Sequence, residues 1–274
     1  MKKLSFGCIA VASMTAALVS AFAQDSSAPN TLTAAEKKAG WILLFDGKTM
    51  HGWEDPRQRN PPGDAWTIED GALKAQPHPR ITEDLFLNRT LKDFELAWEW
   101  KISPAGNSGV KYRIQDHLFV PRPKPGEKFE ASVEKGFENR TGERPQSGQD
   151  YVIGFEYQMT DAANSDARSG GTHSAGALYD VAAPSTAAAR PTGEWNQSRL
   201  VVRGNHVEHW LNGVKVVDTT LDSPEERAAA EKRWDVAPHV AALLVKQPKK
   251  DCPISLQNHG NACWFRSIKA RPLK

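Results

Sequence analysis

The stretch FELAWEWKIS at residues 94–103 decides the fold, because large apolar side chains alternate with smaller or polar ones along it. Successive side chains of a β-strand point to opposite faces of the sheet, so one face of this strand is apolar and the other is wet. The apolar positions are Phe94, Leu96, Trp98, Trp100 and Ile102. The pattern predicts a strand with one face on the core of a β-protein.

Short strand patterns separated by turn signals recur along the rest of the chain. Asp70-Gly71 and Asn212-Gly213 each predict a tight hairpin. The clearest helix signal is at residues 223–234, with Ser223 as the cap, and it is typical of a solvated connector. We therefore predict an all-β fold, a jelly-roll β-sandwich with one short helix.

The chain begins with a pattern typical of an export signal. Lys2 and Lys3 precede an apolar run, and Ala21 to Ala23 form a small-x-small cleavage site. We expect residues 1–23 to be removed from an exported protein, periplasmic or secreted. Residues 24–40 are predicted to be a linker with one helical turn after Thr33, and residues 41–274 one domain. No later run approaches the roughly 18 apolar residues of a membrane span, so stable membrane insertion is not expected.

Charge and cysteine content narrow the choice of partners. Without Lys2 and Lys3 the basic and acidic residues are equal in number, so nothing favours binding to nucleic acid. Cys252 and Cys263 could pair in an exported protein. A turn predicted at residues 259–261 would set them too far apart along neighbouring strands, so we favour free thiols. The oligomeric state is left open.

Residues 121–150 form a long insertion that is polar and rich in proline and glycine. Such a segment in a compact domain is typically a functional loop or a disordered one. We predict a long loop, and its place between two strands with candidate site residues would suit a lid.

A second stretch, GFEYQMTD at residues 154–161, indicates a site. Glu156 and Gln158 alternate with apolar residues, and a buried strand does not need such a polar stripe. If the neighbouring strands share one sheet, one surface would carry Glu99, Lys111, Arg113, Glu156 and Gln158. The alternative is a wet outer face whose ion pairs contribute about 0–1 kcal/mol each.

Other candidates lie further along the chain. Asp161 either partners Glu156 through a β-bulge or begins the turn DAANSD. Gln257 and His259 form a polar C-terminal stripe that continues with Trp264 and Arg266. His259 suits proton transfer because its ordinary pKa is near neutral, although it could be a turn residue. His209 is interpreted as a surface histidine.

Several reaction classes lack their motifs. The sequence has no GxSxG elbow, no HExxH motif, no phosphate-binding loop and no dinucleotide fingerprint, and no compelling metal-ligand spacing. Serine-nucleophile, zinc-protease and nucleotide chemistry are therefore not expected.

Six ordered motifs resemble the 3-keto-disaccharide hydrolase domain family: LFDGKTMHGW at 44–53, WTIEDGAL at 66–73, residues 94–113, GFEYQMTD at 154–161, residues 193–216 and PISLQNHGNACWFRSI at 253–268. The resemblance implies a concanavalin A-like jelly roll and an exported bacterial enzyme that cleaves 3-keto-glycosides. The C3 ketone would acidify the C2 proton, so cleavage could proceed by elimination and hydration, or by direct hydrolysis.

The residue pattern and this reaction together suggest roles for the candidate residues. Glu156 would be the general base or acid, Arg113 and Lys111 would hold the enolate or a hydroxyl, and His259 would transfer protons. Predicted sugar contacts are Gln158, Lys111, Glu99, Gln257, Asp161, Trp264 and Arg266. No cofactor is required, although a divalent cation held by carboxylates and a histidine could replace the arginine. The alternative function is a noncatalytic carbohydrate-binding module.

Overall fold

The computed structural model describes residues 28–55, 63–121, 123–138, 148–246 and 248–274. The predicted export signal at residues 1–23 lies outside these ranges, as do residues 24–27 of the predicted linker. Within the described ranges, no helix has the length and apolar character needed to cross a membrane.

Fourteen strands make up the described β-structure. In chain order they are β1 Ile42–Leu43, β2 Trp53–Glu54, β3 Trp66–Glu69, β4 Ala72–Ala75, β5 Ile81–Thr82, β6 Leu85–Leu87, β7 Phe94–Ile102, β8 Asn107–Pro121, β9 Gly148–Thr160, β10 Asn196–Arg203, β11 His206–Leu211, β12 Val214–Thr220, β13 Ser255–Leu256 and β14 Cys263–Pro272.

The strands form two sheets. The eight-stranded sheet has the order β12-β11-β10-β7-β14-β4-β3, with β1 paired to β14. The six-stranded sheet has the order β2-β6-β13-β8-β9-β5. Two sheets that enclose one core form a sandwich, so the predicted all-β jelly-roll fold is confirmed.

The local signals of the sequence are largely realised. Asp70 and Gly71 both have positive φ, as do Asn212 and Gly213, and each pair joins two hydrogen-bonded antiparallel strands. Thr33 and Glu36 form a capping box at the start of the first helix. Ser223 caps the predicted connector helix by accepting from the amide of Glu226.

The described residues contain more helix than the connector helix and the turn after Thr33 that were predicted. The helices are α1 Ala34–Lys38, α2 Phe129–Glu138, α3 Pro224–Arg233 and α4 Pro238–Ala241, and a π-helical turn follows at Ala242–Lys246. The prediction that residues 121–150 form only a loop is wrong for α2. Val133 on that helix is fully buried, because α2 packs against β8. Residues 122 and 139–147 of the insertion lie outside the described ranges.

The predicted linker is attached to the domain from Asn30 onward. The Asn30 side chain donates a hydrogen bond to the carbonyl of Gly71 over 2.8 Å and accepts one from the amide of Ser267 over 2.8 Å. Lys269 also pairs with Glu36 on α1. These contacts hold the segment before residue 41 against the eight-stranded sheet.

Aromatic residues from both sheets meet in the core. Trp98 packs edge-on against Tyr157 with ring centroids 4.9 Å apart. His209 is fully buried there and lies within 3.0 Å of the Tyr112 hydroxyl. Burial lowers the pKa of His209 to about 4, so the ring is neutral at pH 7. The interpretation of His209 as a surface residue is wrong, because β11 turns this side chain toward the other sheet.

Residues 259–261 turn the chain but do not form the predicted hairpin. β13 pairs with β6 and β8 in the six-stranded sheet, whereas β14 pairs with β4 and β7 in the eight-stranded sheet. The turn is therefore a crossover between sheets. Cys252 and Cys263 are both buried and free, as the prediction of separate thiols required.

Candidate active site

Two neighbouring strands of the six-stranded sheet bring Lys111 and Glu156 side by side. β8 and β9 are antiparallel, with Lys111 opposite Glu156 and Gly109 opposite Gln158. The adjacent Tyr112 packs into the core. Because side chains alternate along a strand, Lys111, Glu156 and Gln158 point away from the core, on what we call the outer face of this sheet.

Glu156 is the centre of the arrangement. Its side chain is nearly buried, Gln257 Nε2 donates to its Oε2 over 3.3 Å, and Lys111 Nζ lies 3.9 Å from the same oxygen. Burial raises the pKa of Glu156 to about 7, against the opposing charges of Lys111 and Arg233. A carboxyl group that titrates near neutral pH can both remove a proton and return it.

Lys111 is a buried cation with several partners. Nζ donates to the carbonyl of Val152 over 3.2 Å and lies 4.4 Å from the ring centroid of Tyr151. Burial alone would lower the pKa of Lys111, but Asp84, Tyr151 and Glu156 together raise it. Lys111 therefore carries its charge at neutral pH, where it can stabilise a developing anion.

Gly109 makes room for the Glu156 carboxyl group. A Cβ atom at Gly109 would lie 2.4 Å from Glu156 Oε1, well inside van der Waals contact. The backbone carbonyl of Gly109 also accepts a hydrogen bond from the backbone N–H of Gln257 over 2.9 Å. The glycine thus separates Gln158 on one side from Gln257 on the other.

Two buried amide atoms beside Glu156 have no hydrogen-bond partner in the described part of the chain. They are Gln257 Oε1 and Gln158 Nε2. The orientation of the Gln257 amide follows from its donation to Glu156, which leaves Oε1 as an acceptor. Of the two predicted sugar contacts, Gln257 keeps some exposed surface and Gln158 keeps none, although the Gln257 Oε1 atom is itself buried.

A second carboxyl group, which sequence reasoning missed, lies on the other side of Lys111. Ser255 on β13 is opposite Lys111 and donates to Asp84 Oδ2 over 3.0 Å. Burial raises the pKa of Asp84 to about 6, although Lys111 and Ser255 oppose the rise. Lys111 is therefore the common counter-charge of two carboxyl groups that titrate near neutral pH.

His259 borders this group on the loop between β13 and β14. Its side chain is exposed, yet surrounding protein lowers the pKa of the imidazole, and the charge of Lys111 acts in the same direction. The ring is thus open to solvent on one side and flanked by protein on the other. Because it is neutral at pH 7, the ring can accept a proton there.

Arg113 does not join Glu156, and the prediction that they share a face is wrong. A register shift follows Tyr112 in β8, and Arg113 has a φ of 52°. The guanidinium donates to the carbonyls of Gly204 and Lys250, away from the outer face. The bulge ends the alternation of side chains on which the prediction depended.

Glu99, Trp264 and Arg266 are also separated from Glu156. They lie on β7 and β14 of the eight-stranded sheet, so their outer face is on the opposite side of the sandwich. Glu99 accepts from Arg266 Nε over 2.7 Å, and Trp264 Nε1 donates to Glu69 over 2.7 Å. The prediction of one shared polar patch is wrong, because the chain crosses to the other sheet between β7 and β8.

Asp161 begins a turn, which was one of its two predicted roles. β9 ends at residue 160, and the Asp161 carboxylate accepts from the amide of Ala105 over 2.6 Å and from the Thr192 hydroxyl over 2.7 Å. Asp161 and Trp100 both line a cavity of about 650 Å³, whereas Glu156 is not part of its lining. The structure therefore gives it no contact with the candidate site.

A cluster from two distant segments completes the surroundings of Glu156, and sequence reasoning missed it. Arg233, the last residue of α3, lies 3.1 Å from Asp180 and stacks on Tyr179. His173 pairs with both Asp166 and Asp180, and the two aspartates raise its pKa although burial opposes them. No spacing in the sequence marks these residues, because only the folded loops join them to the end of α3.

A candidate metal-binding group is located elsewhere. In the described ranges, one set of three side chains has ligand atoms within 4.8 Å of one another, namely His206, Glu208 and Asp218. It lies on the β11–β12 hairpin of the eight-stranded sheet, and Lys215 Nζ pairs with both carboxylates. Lys215 therefore already supplies, at these carboxylates, the positive charge that a bound cation would supply.

Fold and site together define a β-sandwich with a buried carboxylate–lysine pair on the outer face of one sheet. The chain belongs to the 3-keto-alpha-glucoside-1,2-lyase-like domain family, whose model matches residues 40–271. The resemblance predicted from the six motifs is thereby confirmed.

Similar proteins are found among bacteria. A 3-keto-disaccharide hydrolase of Bacteroides thetaiotaomicron is 28% identical over 249 residues, which cover 85% of this chain and 79% of that protein. A candidate glycosyl hydrolase of Parabacteroides distasonis has a solved structure with a TM-score of 0.65 and 24% identity, covering 90% of this chain and 100% of that one. A second from the same organism has a TM-score of 0.55, 21% identity and coverages of 85% and 99%. These structures share the fold.

Proposed function

We propose that this protein is a carbohydrate-active enzyme that cleaves the glycosidic bond of 3-keto-glycosides, by elimination followed by hydration. The observation that carries the proposal is the buried Glu156–Lys111 pair on the outer face of the six-stranded sheet. Glu156 has a pKa raised to about 7, and a charged lysine lies 3.9 Å from its carboxylate. Family membership and the 3-keto-disaccharide hydrolase of B. thetaiotaomicron support the substrate class.

The first step removes the C2 proton. A ketone at C3 makes this proton acidic, so a carboxylate can accept it while the C2–H electrons form an enolate between C2 and C3. Glu156 is partly ionised at neutral pH and suits the role of base. The negative charge develops on the C3 oxygen, and Lys111 is the buried cation beside Glu156 that would stabilise it.

The second step breaks the glycosidic bond. The enolate electrons move to form a C1–C2 double bond, the C1–O bond breaks, and the departing oxygen takes a proton. Glu156 carries the proton taken from C2 and can donate it to this departing oxygen, with His259 beside Lys111 as a second acid–base group. The products are an alcohol and an unsaturated 3-keto sugar.

The third step adds water across the new double bond. The hydroxyl group bonds to C1 and a proton bonds to C2, which gives the free 3-keto sugar. The balance is one glycoside and one water consumed for one 3-keto sugar and one alcohol released. No oxidant or reductant enters, so we propose that no cofactor is required.

We also propose that the protein acts outside the cytoplasm. The proposal depends on the lysines, the apolar run and the small-x-small motif within residues 1–23. Amino-terminal sequencing of the protein purified from the periplasm or medium of its host should start at Gln24. A start at Met1 would contradict export by cleavage.

The substrate class is tested by incubating purified protein with a 3-keto-glucoside and with the matching ordinary glucoside, and measuring released aglycone. We expect release only from the 3-keto substrate, with at least a hundredfold loss in Glu156→Gln. Glu99→Gln, on the opposite side of the sandwich, is the matched control and should keep full activity. Binding of either glucoside without release would instead favour a noncatalytic carbohydrate-binding module.

A further inference from the structure

Arg233 is the last residue of helix α3, which the sequence predicted to be a solvated connector. Its side chain makes more contacts than such a helix requires. Its guanidinium lies over the rings of Tyr179 and Trp234, 4.9 Å and 4.8 Å from their centroids. Nε is 3.1 Å from Asp180 Oδ2, and Nη2 donates to the Tyr151 hydroxyl over 3.4 Å. Two rings, one carboxylate and one hydroxyl thus fix the planar group.

Tyr151 connects this guanidinium to the candidate site. Lys111 Nζ lies over the face of the Tyr151 ring at 4.4 Å, and Arg233 contacts the hydroxyl of the same ring. The ring packs edge-on against Phe129 at 5.0 Å and at a tilt against Trp234 at 6.0 Å. Because helices α2 and α3 both hold the ring, its position is set by packing as well as by the two cations.

Lys111 and Arg233 lie next to the same ring, and nearby negative charge offsets the repulsion between the two cations. Lys111 faces Glu156 and Asp84, whereas Arg233 pairs with Asp180 and also interacts electrostatically with Glu156. The chain of contacts therefore runs from Asp180 through Arg233, Tyr151 and Lys111 to Glu156.

We infer that Arg233 is a positioning residue for the Lys111–Glu156 pair, and that it acts through Tyr151. Its role in catalysis rests on the proposed function, but its effect on Glu156 does not. Arg233 fixes the ring on which Lys111 lies, and its charge favours the ionised form of Glu156. Arg113, which the sequence suggested for a cationic role, is absent from this chain of contacts.

The groups that face Glu156 determine what removal of Arg233 should do. Lys111 on β8 and Arg233 on α3 lower the pKa of Glu156, while burial, Asp84 and Asp180 raise it. Without Arg233, only Lys111 would oppose the rise in the Glu156 pKa that burial and the two aspartates cause. The pKa of Glu156 should therefore rise further above neutral.

The test is a ¹³C NMR titration of the Glu156 side-chain carboxyl, assigned by its loss in Glu156→Gln. We expect Arg233→Gln to shift the titration midpoint upward by about half to one pH unit. Lys232→Gln removes one positive charge from the neighbouring exposed residue of α3 and should leave the midpoint in place. A midpoint in Arg233→Gln equal to that in Lys232→Gln would overturn the inference.

Two further variants cover the case in which Arg233→Gln does not fold. Tyr151→Phe keeps the ring near Lys111 but removes the hydroxyl that accepts from Arg233, so a smaller upward shift is expected. An unchanged midpoint in Tyr151→Phe would also contradict the inference. Arg233→Lys keeps the charge and should restore most of the wild-type midpoint. These measurements need no substrate, so they remain decisive even if 3-keto-glycosides are not cleaved.

Discussion

Replacing Glu156 with glutamine should stabilise the protein at alkaline pH while abolishing its activity. The carboxyl group has an ordinary pKa of 4.5 in the unfolded chain and a pKa of about 7 in the folded protein. The folded state therefore holds the proton more tightly than the unfolded state does. The stability that the protonated Glu156 carboxyl group contributes is fully present below pH 4.5 and is lost as pH rises through about 7.

The size of the effect follows from the difference between the two pKa values. At about 1.4 kcal/mol per pKa unit, a rise from 4.5 to about 7 corresponds to a cost of roughly 3–4 kcal/mol once Glu156 is ionised in both states. Glutamine is a neutral substitute of similar shape for the protonated form. Glu156→Gln should thus exceed the wild type in the free energy of unfolding by roughly 3–4 kcal/mol at pH 8.5 and by about 1 kcal/mol at pH 5.

Urea unfolding at both pH values measures this difference directly. Glu99→Gln is the control, because Glu99 is ion-paired with Arg266 on a half-exposed face and its loss should give no gain at pH 8.5. A Glu156→Gln protein that is less stable than the wild type at both pH values would refute the reasoning. It would mean that the ionised carboxylate is a net stabilising partner of Lys111.

Two other substitutions probe the same site, and one measurement tests the state of the cysteines. Lys111→Met should lower kcat/KM for a 3-keto-glucoside by roughly a hundredfold or more, since a buried cation at the developing enolate is removed; unchanged kinetics would exclude that role. Gly109→Ala should reduce activity by at least about tenfold and lower the free energy of unfolding by about 1–3 kcal/mol, because the new Cβ would lie 2.4 Å from the Glu156 carboxyl. Wild-type kcat/KM in that variant would contradict the geometry. Thiol titration of the unreduced, denatured protein should count both Cys252 and Cys263 as free, whereas loss of both thiols would indicate a bridge.

The fold was predictable because its main signals are local. Alternation in residues 94–102 fixes which side of β7 meets the core, and the Asp70-Gly71 and Asn212-Gly213 pairs fix two hairpins. These patterns depend only on the two-residue period of a strand and on residues that adopt positive φ. Helix α2 escaped prediction because it lies in a segment rich in proline and glycine, where tertiary packing supplies the stabilising contact.

The site was predictable only along single strands. The alternation in GFEYQMTD correctly indicated that Glu156 and Gln158 share a face, and Lys111 followed from its position on the preceding strand. Arg113 was misplaced because the sequence gives no sign of the bulge after Tyr112. Strand periodicity describes one strand at a time and does not say which sheet the strand joins.

The long-range part of the site could not be predicted from local patterns. Asp84 and Arg233 come from a loop and from the end of a helix interpreted as a connector. They act on Glu156 electrostatically, although each lies more than 70 positions from it in the chain. Only the assembled sheet order and the packing of α3 against it bring these charges together.

Solvent deuterium at C2 tests the central claim, removal of the C2 proton by Glu156, most directly. The protein is incubated with a 3-keto-glucoside in D₂O, and the released 3-keto sugar is analysed at once by mass spectrometry and NMR against an enzyme-free control of the same sugar. Elimination and hydration predict one deuterium at C2 in each released sugar with the wild type, and no release with Glu156→Gln. Two results would contradict the claim. One is release by the wild type of a sugar without deuterium at C2, and the other is release by Glu156→Gln at an undiminished rate.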